Sequence, residues 1–135
     1  MGPFPHDAPK STITPENPAG TDGFEFVEFA SDSPQDLRDL FARMGYAHVA
    51  TYKTKKIELW QQGDITYVLN AEPNSFGARF VQEHGPCAPS MGWRVVDAQK
   101  ALAHALANGA REYKGDDKVL DVPAIMGIGG SLLYF

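Results

Sequence analysis

GFEFVEFA (23–30) followed by SPQDLRDLFARMG (33–45) is the stretch on which the fold turns. The first string alternates, with Phe24 and Phe26 beside Glu25 and Glu28, as a strand with one wet face does. The second string changes to helical spacing. Ser33 stands where an N-cap belongs, Pro34 suits the first helical position, and Asp36 lies near the positive helix end. Leu37, Leu40, Phe41 and Met44 form one apolar stripe, and Gly45 is placed to close the helix in the left-handed conformation. Three strand-like runs follow at 46–52, 56–61 and 65–71, separated by turn residues at 53–55 and 62–64.

The same order returns further along the chain. Residues 91–96 read as a strand, and Asp97 as the cap of a helix bearing Ala101, Leu102, Ala105 and Leu106, with Gly109 as its stop. Strand-like runs are expected at 111–114, 119–122 and 131–135, with Gly115-Asp116-Asp117 as a hairpin turn between the first two. Gly45 to Ala71 and Gly109 to Phe135 both span 26 positions. Between the copies, 75–84 reads as a short helix with Phe76 and Phe80 on one side, ended by Gly85-Pro86. The expectation is an α+β fold of two βαβββ units, about 23–71 and 90–135, joined by a helical linker at 75–85 and forming an open mixed-sheet barrel. Leu40 with Phe41, and Leu102 with Leu106, are expected beneath the helices, and Phe26 and Met91 on the other side, in the cleft. Residues 1–21, rich in Pro, Asn, Ser and Thr, are expected to be a flexible arm on a domain at 22–135, removable without loss of stability.

At 135 residues the chain is the size of one domain, and 43% apolar residues give it material for a core. Seventeen acidic against 12 basic side chains leave a net charge of −5, so neither nucleic acid nor an anionic membrane is an expected partner. No apolar run approaches the roughly 18 to 20 residues of a membrane span. The first twenty residues, with five prolines and no apolar block, do not read as a secretory leader. The single Cys87 excludes an internal disulfide and a cysteine-based zinc cluster. The expected compartment is the cytoplasm.

Two βαβββ units resemble the vicinal oxygen chelate superfamily, which includes glyoxalases and extradiol dioxygenases. Four strings narrow the resemblance: NPAGTDGFEFVEFA (17–30), QGDITYVLNAEP (62–73), EHGP (83–86) and VPAIMGIGGSLLYF (122–135). In order, they are similar to the first half of the bacterial 4-hydroxyphenylpyruvate dioxygenase family. Members of that family are two to three times this length. Their second half holds iron(II) with two histidines and a glutamate, leaving positions open for substrate and oxygen. The resemblance implies that this chain is a non-catalytic N-terminal domain. Its partner would be the C-terminal catalytic half of the same protein, where iron(II) serves the conversion of 4-hydroxyphenylpyruvate and oxygen to homogentisate and carbon dioxide in tyrosine catabolism. A homo-oligomer is implied as well.

The superfamily places metal ligands on the first and last strands of a unit, pointing into the barrel. The matching positions here are Phe26, Met91 and Leu133 or Tyr134; a slip of one brings in Glu25 or Arg94. None is a histidine, so no catalytic, cofactor or metal residue is assigned to this chain. The alternative is a stand-alone small-ligand-binding module without metal, in which Trp60, Tyr67, Trp93 and Tyr134 would stack on a planar ligand. A complete metal-dependent enzyme is opposed by the missing ligands.

The remaining chemistry-bearing residues read as structural. His6, His48, His84 and His104 form no ligand spacing, and His84 is placed to favour the negative end of its helix. Gly127-Ile128-Gly129-Gly130 precedes a strand, so it reads as a turn and not a phosphate cradle. Cys87 lies among prolines as a linker thiol, and Lys53, Lys55 and Lys56 as a solvated hairpin. Glu25 and Glu28 fall on opposite strand faces, with one exposed and one part-buried near Arg94.

Overall fold

The change from period two to helical spacing after Ala30 is realised as a strand and a helix. In the computed structural model of the chain, which describes residues 10–135, β1 (Thr21–Ala30) leads to α1 (Pro34–Arg43), β2 (Ala47–Thr51), β3 (Ile57–Gln62) and β4 (Ile65–Asn70). The linker helix α2 (Phe76–His84) then leads to β5 (Cys87–Val95), α3 (Ala98–Ala107), β6 (Ala124–Met126) and β7 (Leu132–Tyr134). All seven strands share one mixed sheet in the order β2-β3-β4-β1-β5-β7-β6. β1 runs parallel to β4 and β5 parallel to β7, while β1 and β5 pair antiparallel at the centre. The arrangement repeats on either side of that central pair, except that the counterpart of β2 shrinks to one bridge between Glu112 and Ile125. Gly45 and Gly109 both have φ of +91°, as equivalent residues after equivalent helices should.

Several local expectations are corrected. Residues 119–122 are not a strand, and the turn at 115–117 does not join a hairpin. Val119 is instead drawn into the core, its N–H donating to Tyr134 Oη at 3.2 Å, and the strand forms only after Pro123, as β6. Ser33 makes no side-chain cap; its N–H donates to Ser31 Oγ at 2.9 Å. Asp97 caps as expected, its Oδ1 accepting the N–H groups of Gln99 and Lys100 at 3.0 Å.

Two apolar clusters lie on the two sides of the sheet. Phe41 of α1 is buried with Tyr46, Trp60 and Leu69, and Phe29, Leu37 and Tyr67 pack around them. The side of Phe29 may be called the outer face. The inner face carries Phe26, Ile57, Val68, Leu132 and Tyr134, closed over by Phe76 of α2 and by Val119. Leu102 is buried as expected, but Leu40 and Leu106 are 40% and 38% exposed, since each lies on the flank of its helix stripe. Arg38 of α1 clamps Glu58 of β3, its Nε and Nη2 donating at 2.9 and 2.7 Å.

Of the arm expected at 1–21, residues 1–9 lie outside the described residues. The rest is tied to the sheet, and Thr21 already belongs to β1. Asn17 is the hub: its Nδ2 donates to Thr21 O at 2.8 Å and to Ser11 Oγ at 3.2 Å, and its Oδ1 accepts the Thr21 N–H at 3.0 Å. Ser11 N–H donates to Asp22 at 3.0 Å, and Gly20 O accepts the Val96 N–H at 3.0 Å beyond the end of β5. A short polar segment thus joins the sheet through hydrogen bonds, with little apolar burial for a sequence pattern to reveal.

Two stability measurements follow. Phe41→Ala is expected to lower the unfolding free energy in urea by about 3–5 kcal/mol, because the ring is fully buried. Asn17→Ala is expected to cost about 1–2 kcal/mol through the loss of its hydrogen bonds; an unchanged urea midpoint would show that residues 11–20 are not docked in solution.

Candidate functional site

Strand register decides which side chains meet on the inner face. Across the β1–β5 pair, Phe26 lies opposite Gly92, Val27 opposite Met91 and Glu28 opposite Ser90. Residues opposite one another project to the same side. Met91 therefore shares the outer side with Val27, and the expected pairing of Met91 with Phe26 in a cleft is overturned by a one-residue slip. The inner residues of β5 are Ser90 and Gly92. On β7, Ser90 lies opposite Leu132 and Gly92 opposite Tyr134, which makes Tyr134, not Leu133, the inner residue.

The inner positions are thus Phe26, Gly92 and Tyr134, and they are filled by protein. A Cβ added to Gly92 would run into the ring of Phe26, so that ring occupies the space the glycine leaves. The Phe26 and Tyr134 ring centroids are 5.6 Å apart. Burial, and then the nearby Glu28, push the Tyr134 phenol far above its ordinary range. These residues do not fit an iron(II) ion. A benzene ring and a glycine offer no donor, and the one phenol is held neutral and accepts the Val119 N–H. Among the described residues, no three His, Cys, Asp or Glu side chains are grouped to hold a metal.

The mouth of this face is closed by residues 113–119 and α2. Tyr113 packs edge-on against Phe76 at 5.3 Å, and its hydroxyl donates to Asp117 Oδ1 at 2.8 Å. Asp117 is ion-paired with Arg79 of α2, and its carbonyl accepts the Phe76 N–H at 3.0 Å. Burial alone would raise the Asp117 carboxyl, but Tyr113 and Arg79 outweigh it and hold the group below the usual range.

The other candidates are scattered. His48 is exposed and stacks on Trp60 at 5.1 Å, His84 packs on Phe80 at 4.2 Å, and His104 lies on α3; His6 lies outside the described residues. Burial, and then Glu28, push the Cys87 thiol up, against nucleophile chemistry. In the 127–130 segment, expected to be a turn, Ile128–Gly130 form a single 3₁₀ turn feeding β7. Of the four rings suited to ligand stacking, Trp60 and Tyr134 are buried and Tyr67 packs into the outer core; Trp93 is half-buried against exposed Phe24 at 4.6 Å.

Glu28, expected with Glu25 as an exposed and part-buried pair near Arg94, is instead buried in the centre of the sheet. It is 1% exposed, and its partners are Asn70 and Ser90, whereas Arg94 is bound to Asp22. The available signal was parity: Glu28 is two residues from Phe26 and so on the same strand face.

The family model described as "Hydroxyphenylpyruvate dioxygenase, HPPD, N-terminal" matches residues 15–135. Hemolysin VllY of Vibrio vulnificus is 51% identical over 124 residues, covering 88% of this chain and 35% of its own. A 4-hydroxyphenylpyruvate dioxygenase of Pseudomonas sp. is 46% identical over 121 residues, covering 88% of this chain and 34% of its own. Among solved structures, a xylose isomerase-like TIM barrel/4-hydroxyphenylpyruvate dioxygenase fusion protein superposes with a TM-score of 0.79 at 37% identity, over 94% of this chain and 20% of that one. The chain spans about a third of the length of the first two relatives. With a duplicated βαβββ sheet of the vicinal oxygen chelate type and a family match from residue 15 to residue 135, the chain belongs to the hydroxyphenylpyruvate dioxygenase N-terminal domain family.

Proposed function

We propose that the chain is the non-catalytic N-terminal domain of an iron(II)-dependent 4-hydroxyphenylpyruvate dioxygenase. The whole protein would convert 4-hydroxyphenylpyruvate and oxygen to homogentisate and carbon dioxide in the cytoplasm, with the iron held by the C-terminal half. When bound there, iron(II) supplies open coordination positions for the 2-oxo acid and oxygen. This domain contributes a rigid scaffold and packing surface to that half and to an oligomer.

The observation that carries this reading is the filling of the inner face. The inner face carries Phe26, Gly92 and Tyr134, and Val119 and Phe76 close over them. Binding a substrate there would require expelling core side chains, at about 3–5 kcal/mol for each large ring. The same filling weighs against a stand-alone ligand-binding module, since three of its four stacking rings are committed to the protein interior.

The 135-residue chain is expected to retain less than a stoichiometric amount of iron(II) or zinc after dialysis and elemental analysis, and to consume no oxygen with 4-hydroxyphenylpyruvate and iron(II). One tightly held ion per chain, with oxygen uptake abolished by a chelator, would move catalysis into this domain.

A further inference from the structure

Glu28 is a buried carboxyl that the proposed function does not use. It sits at the middle of the sheet, between β4 and β5. Its Oε1 accepts a hydrogen bond from Asn70 Nδ2 at 2.8 Å, and its Oε2 is hydrogen-bonded to the Ser90 hydroxyl. Asn70 Nδ2 also donates to Ser75 Oγ at 3.2 Å. Ser75 is the N-cap of α2: its Oγ accepts the Ala78 N–H at 3.1 Å and donates to Glu72 O at 2.7 Å. One hydrogen-bonded chain therefore runs from Ser90 in the second unit, through Glu28 and Asn70 in the first, to the start of the linker helix. The helix comes so close that a Cβ on Gly77 would lie 2.8 Å from Glu28 Oε1.

Both carboxyl oxygens thus meet neutral groups. The titratable neighbours are Cys87 on β5, Tyr134 on β7 and Asp117 on the segment between α3 and β6. Arg79, the cation that α2 brings to this side, is engaged by Asp117 and Tyr113. Burial pushes the Glu28 carboxyl up from 4.5, the bonds to Ser90 and Asn70 pull it down without cancelling the rise, and the Asp117 charge adds to it. Asn70 and Ser75 also line an open cleft of about 220 Å³ with Lys55, Asp117 and Lys118, which brings solvent within one side chain of the carboxyl.

We infer that Glu28 is a proton-operated latch: uncharged, it closes Ser90, Asn70 and the start of α2 onto the β1–β5 pair; ionised, it releases α2. In the closed state the carboxyl carries a proton, Oε1 accepts from Asn70 Nδ2, and Oε2 is hydrogen-bonded to the Ser90 hydroxyl. Raising the pH removes that proton and leaves a charge in the core, close to the Asp117 carboxylate. Because the folded state favours the protonated form, the contribution to stability is complete below the ordinary glutamate range and is lost as pH rises through the folded midpoint.

Carbon-detected NMR of the glutamate carboxyls in the 135-residue chain, from about pH 4 to 9, tests this directly. One resonance, absent from Glu28→Gln, should titrate well above the others, and amide exchange in α2 should rise across that midpoint beyond the base-catalysed increase seen in β3. Glu28→Gln, which keeps the shape and the uncharged state, should gain stability over the parent chain as pH rises and abolish the exchange step. A Glu28 carboxyl titrating with the exposed glutamates would overturn the latch, as would α2 exchange that shows no step at the midpoint. If Glu28→Gln does not fold, assignment and titration in the parent chain decide the matter alone.

Discussion

Antiparallel pairing of β1 with β5 sets Phe26 against Gly92 and Glu28 against Ser90, and the rest of the domain is arranged around that register. Each strand opens its unit, and each is flanked on its other edge by the parallel closing strand of the same unit, β4 or β7. The pair therefore joins the two units edge to edge into one sheet and fixes which side chains share the inner face. A slip of one residue would send Ser90 and Gly92 outward and bring Met91 inward, leaving the Phe26 ring without its space and Glu28 without its hydroxyl partner.

The inner face, where the resemblance implied ligands, serves in this chain as a core. Each residue at the inner positions makes sense in that light. Phe26 fills space that Gly92 vacates, Tyr134 offers a buried hydroxyl to the backbone of Val119, and the long segment after α3 lies across the opening. That segment replaces part of the regular sheet of the first unit, so the second unit gives up strand pairing to obtain a cover. The two copies share a plan, and the asymmetry between them is what closes the site.

Much of this was legible in the sequence wherever the signal is local. The stripe of Leu37, Phe41 and Met44, the stop at Gly45, the cap at Asp97 and the matched spacing after Gly45 and Gly109 all depend on near neighbours in the chain. What escaped depends on contacts between distant residues. Residues 119–122 have strand-like composition, but the buried Tyr134 hydroxyl and the space above the inner face draw Val119 out of any ladder. The face taken by Met91 follows from its register with β1, which no run within β5 encodes. The burial of Glu28 is set by Asn70, 42 positions away, and Ser90, 62 positions away. The docking of residues 11–20 rests on Asn17, whose hydrogen bonds leave no hydrophobic pattern.

The Phe26 ring occupies the space that Gly92 leaves beside it, so that protein fills the position a ligand would need. A double-mutant cycle on Gly92→Ala and Phe26→Ala, read as unfolding free energy, tests it most directly. Gly92→Ala is expected to be clearly destabilising in the parent chain and much less so beside Phe26→Ala, giving a coupling energy of about 1 kcal/mol or more. Additive effects within about 0.5 kcal/mol would contradict it, because the two positions would then not share the space.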